Sequence, residues 1–296
     1  MEVSYYLLDV FTSQKFGGNQ LAVFTDATPI PEGILQQIAR ELNLSETVFI
    51  YPPETNQGDY KMRIFTPDKE MVTAGHPTIG TAHLLLNELN WSYKKNGELL
   101  LEQKIGSIPV SFDKDGNKCT QITMQQPNPV YGNLIQKRGM IAEILSISEN
   151  DLMPSLPIQC ISCGNNFMYI PVASLEVLSQ IKIRIDLLEA RVNILETPAL
   201  YVFTTKTNSE ATTRGRMFAP TWGVYEDPAT GSASGPLGCY LVRHNLNDGE
   251  NILCEQGFEM GRPSHIRVKI GHTNEMINKV LVGGEAVLMG KGMFFI

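Results

Sequence analysis

The chain has 296 residues, 43% hydrophobic and 19% charged, and its 24 basic against 31 acidic side chains leave a net charge of −7. That is apolar material for one large core or two ordinary ones. The acidic balance, with no basic run, argues against a nucleic-acid groove or an anionic membrane surface as a partner. Apolar stretches fall short of the roughly 18–20 residues a membrane span needs. The start, MEVSYYLLDV, lacks the marks of a signal peptide. Five scattered cysteines (Cys119, Cys160, Cys163, Cys239, Cys254) fit a reducing compartment, so a cytoplasmic protein is expected. Cys160 and Cys163 form a C-x-x-C pair, but no second pair or His cluster flanks it, and no metal site is expected.

In chain order, residues 3–10, 19–24, 47–52 and 60–66 are short and rich in Val, Ile, Tyr and Phe, as strands are. Between them, Pro31 and the run GILQQIARELNL predict a helix with proline near its first turn. The stretch PTIGTAHLLLNEL, residues 77–89, predicts a mostly apolar and therefore buried helix. Strands are expected again at 98–102, 107–113 and 119–125, with turns at Asn96-Gly97 and Asp115-Gly116. Residues 126–136 (QPNPVYGNLIQ) read as a linker. Two domains, 1–127 and 128–296, are therefore expected, with the last strand, around 288–296, able to cross back to the first.

The two halves read alike. Arg63-Ile64-Phe65-Thr66-Pro67 is echoed by Arg216-Met217-Phe218-Ala219-Pro220, and Glu102-Gln103 by Glu255-Gln256, both at an offset of 153. Ala74-Gly75-His76-Pro77-Thr78-Ile79-Gly80 lies over Ala229-Thr230-Gly231-Ser232-Ala233-Ser234-Gly235 at 155. Gly17 to Phe24 resembles Gly164 to Pro171. Ordered matches at nearly one offset imply a duplicated domain. Each half is then a strand-rich unit around one apolar helix, and a pseudo-twofold would bring the two glycine-rich helix starts to face each other across a crevice.

Residues 227–235 (DPATGSASG) precede an apolar run, so small residues and the N–H groups of a helix start come together as an anion pocket with Asp227 at its rim. Duplication also exposes what is not duplicated. Glu46 falls opposite Ala199, and Asp227 opposite Val72. A lone carboxylate ahead of an apolar strand suggests one acid/base, and burial would raise its pKa towards neutrality. His76 stands at a helix start, where the partial positive charge favours a neutral imidazole.

The stretches Phe16-Gly17-Gly18-Asn19-Gln20-Leu21-Ala22-Val23, Asn43-Leu44-Ser45-Glu46-Thr47, Gly75-His76-Pro77-Thr78-Ile79-Gly80-Thr81-Ala82 and Asp227-Pro228-Ala229-Thr230-Gly231-Ser232-Ala233 resemble the PhzF-like phenazine-biosynthesis family, of diaminopimelate-epimerase-like fold. Gln256-Gly257 and Met260-Gly261-Arg262-Pro263-Ser264 carry the resemblance almost to the C-terminus. It implies an α+β fold of two similar domains, each a curved, mostly antiparallel sheet or barrel around a central helix. It also implies a cofactor-independent isomerase that moves a proton on a small, possibly cyclic, organic or amino acid. Glu46 would carry the proton, with His76, Asp227 and Ser232 as the other catalytic positions. The two glycine-rich turns (Gly75, Pro77 and Thr78; Thr230, Gly231 and Ala233) would hold the substrate carboxylate, and a homodimer follows by family analogy. Gln20 departs from the family's proline at that turn.

Three rivals remain. A two-thiol racemase or epimerase mechanism needs a cysteine in each glycine-rich turn, and neither turn has one. A non-catalytic small-acid-binding protein on the same fold would not need Glu46, His76, Asp227 and Ser232 together. A dehydrogenase would want a G-x-G-x-x-G after the first strand, and none is there.

Overall fold

The structure is a computed structural model that describes residues 1–95, 97–273 and 276–296; Asn96, half of one expected turn, lies outside the described residues. The chain forms two compact units, Met1–Gln126 with Leu281–Ile296, and Pro127–Val280. Both are sheet-rich α+β units, and among the described residues no helix is long and apolar enough to cross a membrane.

In the first unit the elements are β1 (Glu2–Val10), β2 (Asn19–Phe24), α1 (Leu35–Leu42), β3 (Glu46–Tyr51), β4 (Tyr60–Phe65), β5 (Glu70–Met71), α2 (Gly75–His83), β6 (Glu98–Gln103), β7 (Gly106–Asp115) and β8 (Lys118–Gln126). A C-terminal strand, Ala286–Phe295, lies antiparallel to β1. Strand β1 also pairs antiparallel with β2, which runs parallel to β3. Strand β4 joins β3 and β5 antiparallel and β6 parallel, and β6–β7–β8 is an antiparallel meander. Every residue of α2 is buried, and it packs on β1, β2, β3, β8 and the C-terminal strand. An all-round apolar helix ringed by strands is what the sequence pattern requires. Outside the sheet, α1 lays Leu35, Ile38 and Ala39 on Phe24, Phe49 and Phe65.

The second unit contains β9 (Val130–Leu134), α3 (Arg138–Leu145), β10 (Gln159–Ser162), β11 (Asn166–Pro171), α4 (Leu175–Gln180), α5 (Ile185–Arg191), β12 (Leu200–Thr204), β13 (Thr213–Ala219), β14 (Val224–Asp227), α6 (Gly231–Arg243), β15 (Ile252–Gln256), β16 (Ser264–Thr273) and β17 (Met276–Gly283), the strand along which the chain passes back to the first unit. It repeats the pairing scheme: β9–β10 and β10–β11 antiparallel, β11–β12 parallel, β12–β13 and β13–β14 antiparallel, β13–β15 parallel, β15–β16 antiparallel. Only part of the expected linker is irregular, because Val130–Leu134 pairs with β10 and is a strand. Helices α3, α4 and α5 build a separate core, with Ile141, Leu145, Leu178 and Leu188 against Met168, Ile170, Val202 and Phe218.

Register fixes how the halves superpose. Thr47 faces Phe65 and Leu200 faces Phe218, so Glu46 does correspond to Ala199. Further on the correspondence differs from the one read in the sequence. Ile64 faces Met71 while Met217 faces Asp227, which makes Met71, not Val72, the counterpart of Asp227. The ion pair Arg63–Glu70 (2.7 Å) recurs as Arg216–Glu226 (2.8 Å), and the helix entries Ala74-Gly75-His76 and Thr230-Gly231-Ser232 coincide. His76 therefore stands where Ser232 stands. The cause is a 3-10 turn, Pro220–Trp222, in the second half only.

Candidate active site

Glu46 is the first residue of β3, beside Leu21 of β2. Its side chain keeps 15% exposure, whereas that of His76 keeps 3%. His76 is the second residue of α2, and its Nε2 lies 3.4 Å from Glu46 Oε2. The other ring nitrogen, Nδ1, meets the Asn19 carboxamide nitrogen at 3.2 Å. Burial lowers the His76 pKa from 6.5 to about 3, with a backbone hydrogen bond to Gln20 acting in the opposite sense. The ring is therefore neutral at physiological pH, so its contact with Glu46 is not an ion pair. A neutral imidazole has one donor and one acceptor nitrogen, and a carboxamide offers both functions as well. Asn19 and His76 together can thus face Glu46 in either of its protonation states.

Backbone geometry places Asn19. Gly18 has φ of +61°, and a Cβ there would stand 2.3 Å from the Val10 carbonyl oxygen. Only glycine fits this close left-handed turn, and the turn delivers Asn19 to the start of β2 beside Val10. Asn19 belongs to a motif visible in the sequence, but its contact with a residue 57 positions away has no local signal.

In the second unit Asp227 ends β14 and is buried. Its Oδ2 accepts from the Thr230 hydroxyl at 2.6 Å. Thr230 precedes the first turn of α6 with φ −111° and ψ 83°, and Gly231, half-buried Ser232 and Ala233 form that turn. Pro236 has no N–H to offer the Ser232 carbonyl four residues earlier. The amide of Ala233 already bonds the Thr230 carbonyl (3.0 Å), and its own carbonyl accepts from the Tyr169 hydroxyl (2.7 Å).

The corresponding turn of the first unit places Gly75, Pro77 and Thr78 in the first turn of α2, all buried. Proline costs that turn nothing, since its third N–H has no helical acceptor. The hydroxyl of Thr78 is committed within the helix, donating to the Ala74 carbonyl at 2.6 Å. Ser234 does the same to Thr230 at 3.0 Å. The Thr78 and Thr230 hydroxyls are thus both engaged within their own units. The structure brings Glu46, His76 and Asn19 together in one unit, and Asp227 and Thr230 in the other. All five cysteines are buried and unbridged, and among the described residues no group of His, Cys, Asp or Glu could hold a metal.

A family model described as phenazine biosynthesis-like protein matches residues 8–292. An uncharacterized isomerase of Clostridium acetobutylicum is 36% identical, with 97% of this chain and 96% of that protein covered. The trans-2,3-dihydro-3-hydroxyanthranilate isomerase of Pseudomonas fluorescens is 33% identical, with 98% of each covered. Among solved structures, a Bacillus anthracis phenazine biosynthesis protein of the PhzF family superposes with a TM-score of 0.90 at 27% identity, over 100% of both chains.

Proposed function

The chain belongs to the phenazine biosynthesis-like family, and from that premise we propose that this isomerase moves a proton between two carbons of a small carboxylic acid, with Glu46 as its single acid/base. The observation that carries this reading is the pairing of Glu46 with a neutral, buried His76 at 3.4 Å. Glu46 removes a hydron from an activated C–H bond, and the electron pair is taken into the adjacent unsaturated system. Glu46, now protonated, returns the hydron to another carbon of that system. No atom or electron is gained or lost. His76 serves both halves of the step, as donor to the carboxylate and as acceptor from the carboxylic acid.

Asp227 and Ser232 orient the substrate's polar substituents, and the N–H groups around Gly75 and Gly231 hold its carboxylate. Trans-2,3-dihydro-3-hydroxyanthranilate, named for the Pseudomonas relative, has the required chemistry: a carboxylate, an amine, a hydroxyl and a partly unsaturated ring. It is the first compound to try, beside cyclic amino and hydroxy acids.

The test is turnover in heavy water. Wild-type protein is expected to isomerise the compound and to place deuterium in product or recovered substrate. Glu46→Gln is expected to lower kcat by about 10²–10⁴ while still binding. Unchanged turnover in that variant sinks the role of Glu46. Binding of the acids with neither isomerisation nor exchange would instead favour a small-acid-binding protein.

A further inference from the structure

The Glu-Gln dipeptide repeated at 102–103 and 255–256 has no part in the chemistry above, yet both copies are buried. Each closes a parallel strand against the centre of its sheet, β6 along β4 and β15 along β13. Alternation sends the two side chains to opposite faces. The glutamates tie down outer loops: Glu102 accepts from the Glu54 and Thr55 amides and the Thr55 hydroxyl, and Glu255 from Ser209 and Arg214. The glutamines turn the other way, to the helix entries.

Gln256 is fully buried. Its Nε2 donates to the Asp227 carbonyl (2.6 Å) and to the Thr230 hydroxyl (2.9 Å). Its Oε1 accepts from the Thr230 amide (3.1 Å) and the Tyr201 hydroxyl (3.3 Å). The hydroxyl that it engages is the one that donates to Asp227 Oδ2. Donors therefore run in one direction, from Tyr201 through Gln256 and Thr230 to the carboxylate. Gln103 grips its own helix entry through other partners: Nε2 donates to Thr78 Oγ1 (2.7 Å), whose proton goes to the Ala74 carbonyl, and Oε1 accepts from Thr73 (2.7 Å). A carboxamide alone supplies donor and acceptor together at these two places.

We propose that Gln103 and Gln256 are twin positioning residues, each fixing the first turn of its central helix, Gly75-His76 in one unit and Asp227 with Gly231-Ser232 in the other. The proposal rests on the isomerase reading and adds what holds that site's groups in place.

Gln256→Glu keeps the shape but, as a carboxylate, sets acceptor against acceptor at the Asp227 carbonyl and competes with Asp227 Oδ2 for the Thr230 proton. As a carboxylic acid it regains one donor. The expected result at about pH 8 is a folded protein with kcat down roughly tenfold to a hundredfold and KM changed far less, since misplaced groups cost the reaction more than the encounter. Activity relative to wild type is expected to recover as pH falls towards about 5.5, because burial raises the pKa of the introduced acid. Gln256→Met, which brings no charge, is expected to show the same loss at every pH and stands in if the first variant does not fold at high pH. Gln103→Glu should repeat the pattern.

A kcat within twofold of wild type in the folded Gln256 variants overturns the proposal, as does a loss in Gln256→Glu that stays flat with pH. If wild-type protein has no turnover, the isomerase reading fails by itself. Anthranilate binding then decides the positioning role: a Kd roughly tenfold weaker in Gln256→Met supports it, and an equal Kd overturns it.

Discussion

His76 stores a cost in acid that its one opposing contact, the backbone of Gln20, only partly relieves. Its pKa is about 3 in the folded protein against 6.5 for a free imidazole. A group depressed on folding stabilises the protein fully above its unfolded pKa and loses that contribution as pH falls towards its folded pKa. Between about pH 6.5 and pH 3 the unfolded chain takes up a proton that the folded chain refuses, so stability should fall by up to roughly 1.4 kcal/mol per pH unit. Urea denaturation at a series of pH values checks this: the slope is expected in wild type and is expected to shrink in His76→Gln, and equal slopes would refute it. Asn19→Ala removes the contact with Nδ1 and is expected to cost about 1–3 kcal/mol of stability and to lower kcat. Both are read from one denaturation curve and one rate. Glu46 was legible in the sequence because its twin position holds an alanine, and His76 because it opens a helix. Their contact was not, because a turn at Gly18 and the pairing of β2 with β3 bring distant residues together.

Elements repeat more faithfully than the sequence that builds them. Strand positions were readable from β-branched and aromatic runs, and most ends agree within a residue or two; β5, with two residues, is too short to leave a pattern. The slip in matching Asp227 and His76 to their counterparts came from the Pro220–Trp222 turn, which lengthens one half between strand and helix. Gly and Pro signal that a turn is present but not how many residues the other copy spends on it. Ion pairs and back-bonded hydroxyls resolve the register because they must be satisfied in both copies. Thr78→Val tests that need. It strips Gln103 of its acceptor and Ala74 of its donor in a buried place, and a loss of about 1–3 kcal/mol is expected. Ser234→Ala removes the back-bond to Thr230 and a contact with the Tyr201 hydroxyl, and is expected to cost about 1–2 kcal/mol. An unchanged stability in Thr78→Val would show that the Gln103–Thr78 bond adds nothing.

Across the whole molecule, duplication was the strongest signal, and helices α3, α4 and α5 the weakest, since they are short and their apolar residues share one core with the strands. The chain's return to its first unit is a structural commitment. Strand β1 has β2 on one side and the C-terminal strand on the other, and the Ile296 amide bonds the Met1 carbonyl at 2.8 Å. Ending the chain at Glu285 is expected to deprotect β1 amides to hydrogen exchange while α3–α5 amides keep their protection; uniform deprotection would instead mean that the two units melt as one. The alanine at 199 has a different consequence. With an acid in each half, one group would take a hydron and another, already charged from water, would give one back. With alanine at 199, the proposed mechanism leaves Glu46 as both donor and acceptor, on one oxygen pair. Part of the product should then carry the very hydrogen that the substrate lost, so a substrate tritiated at the reacting carbon should pass some of its label to the product.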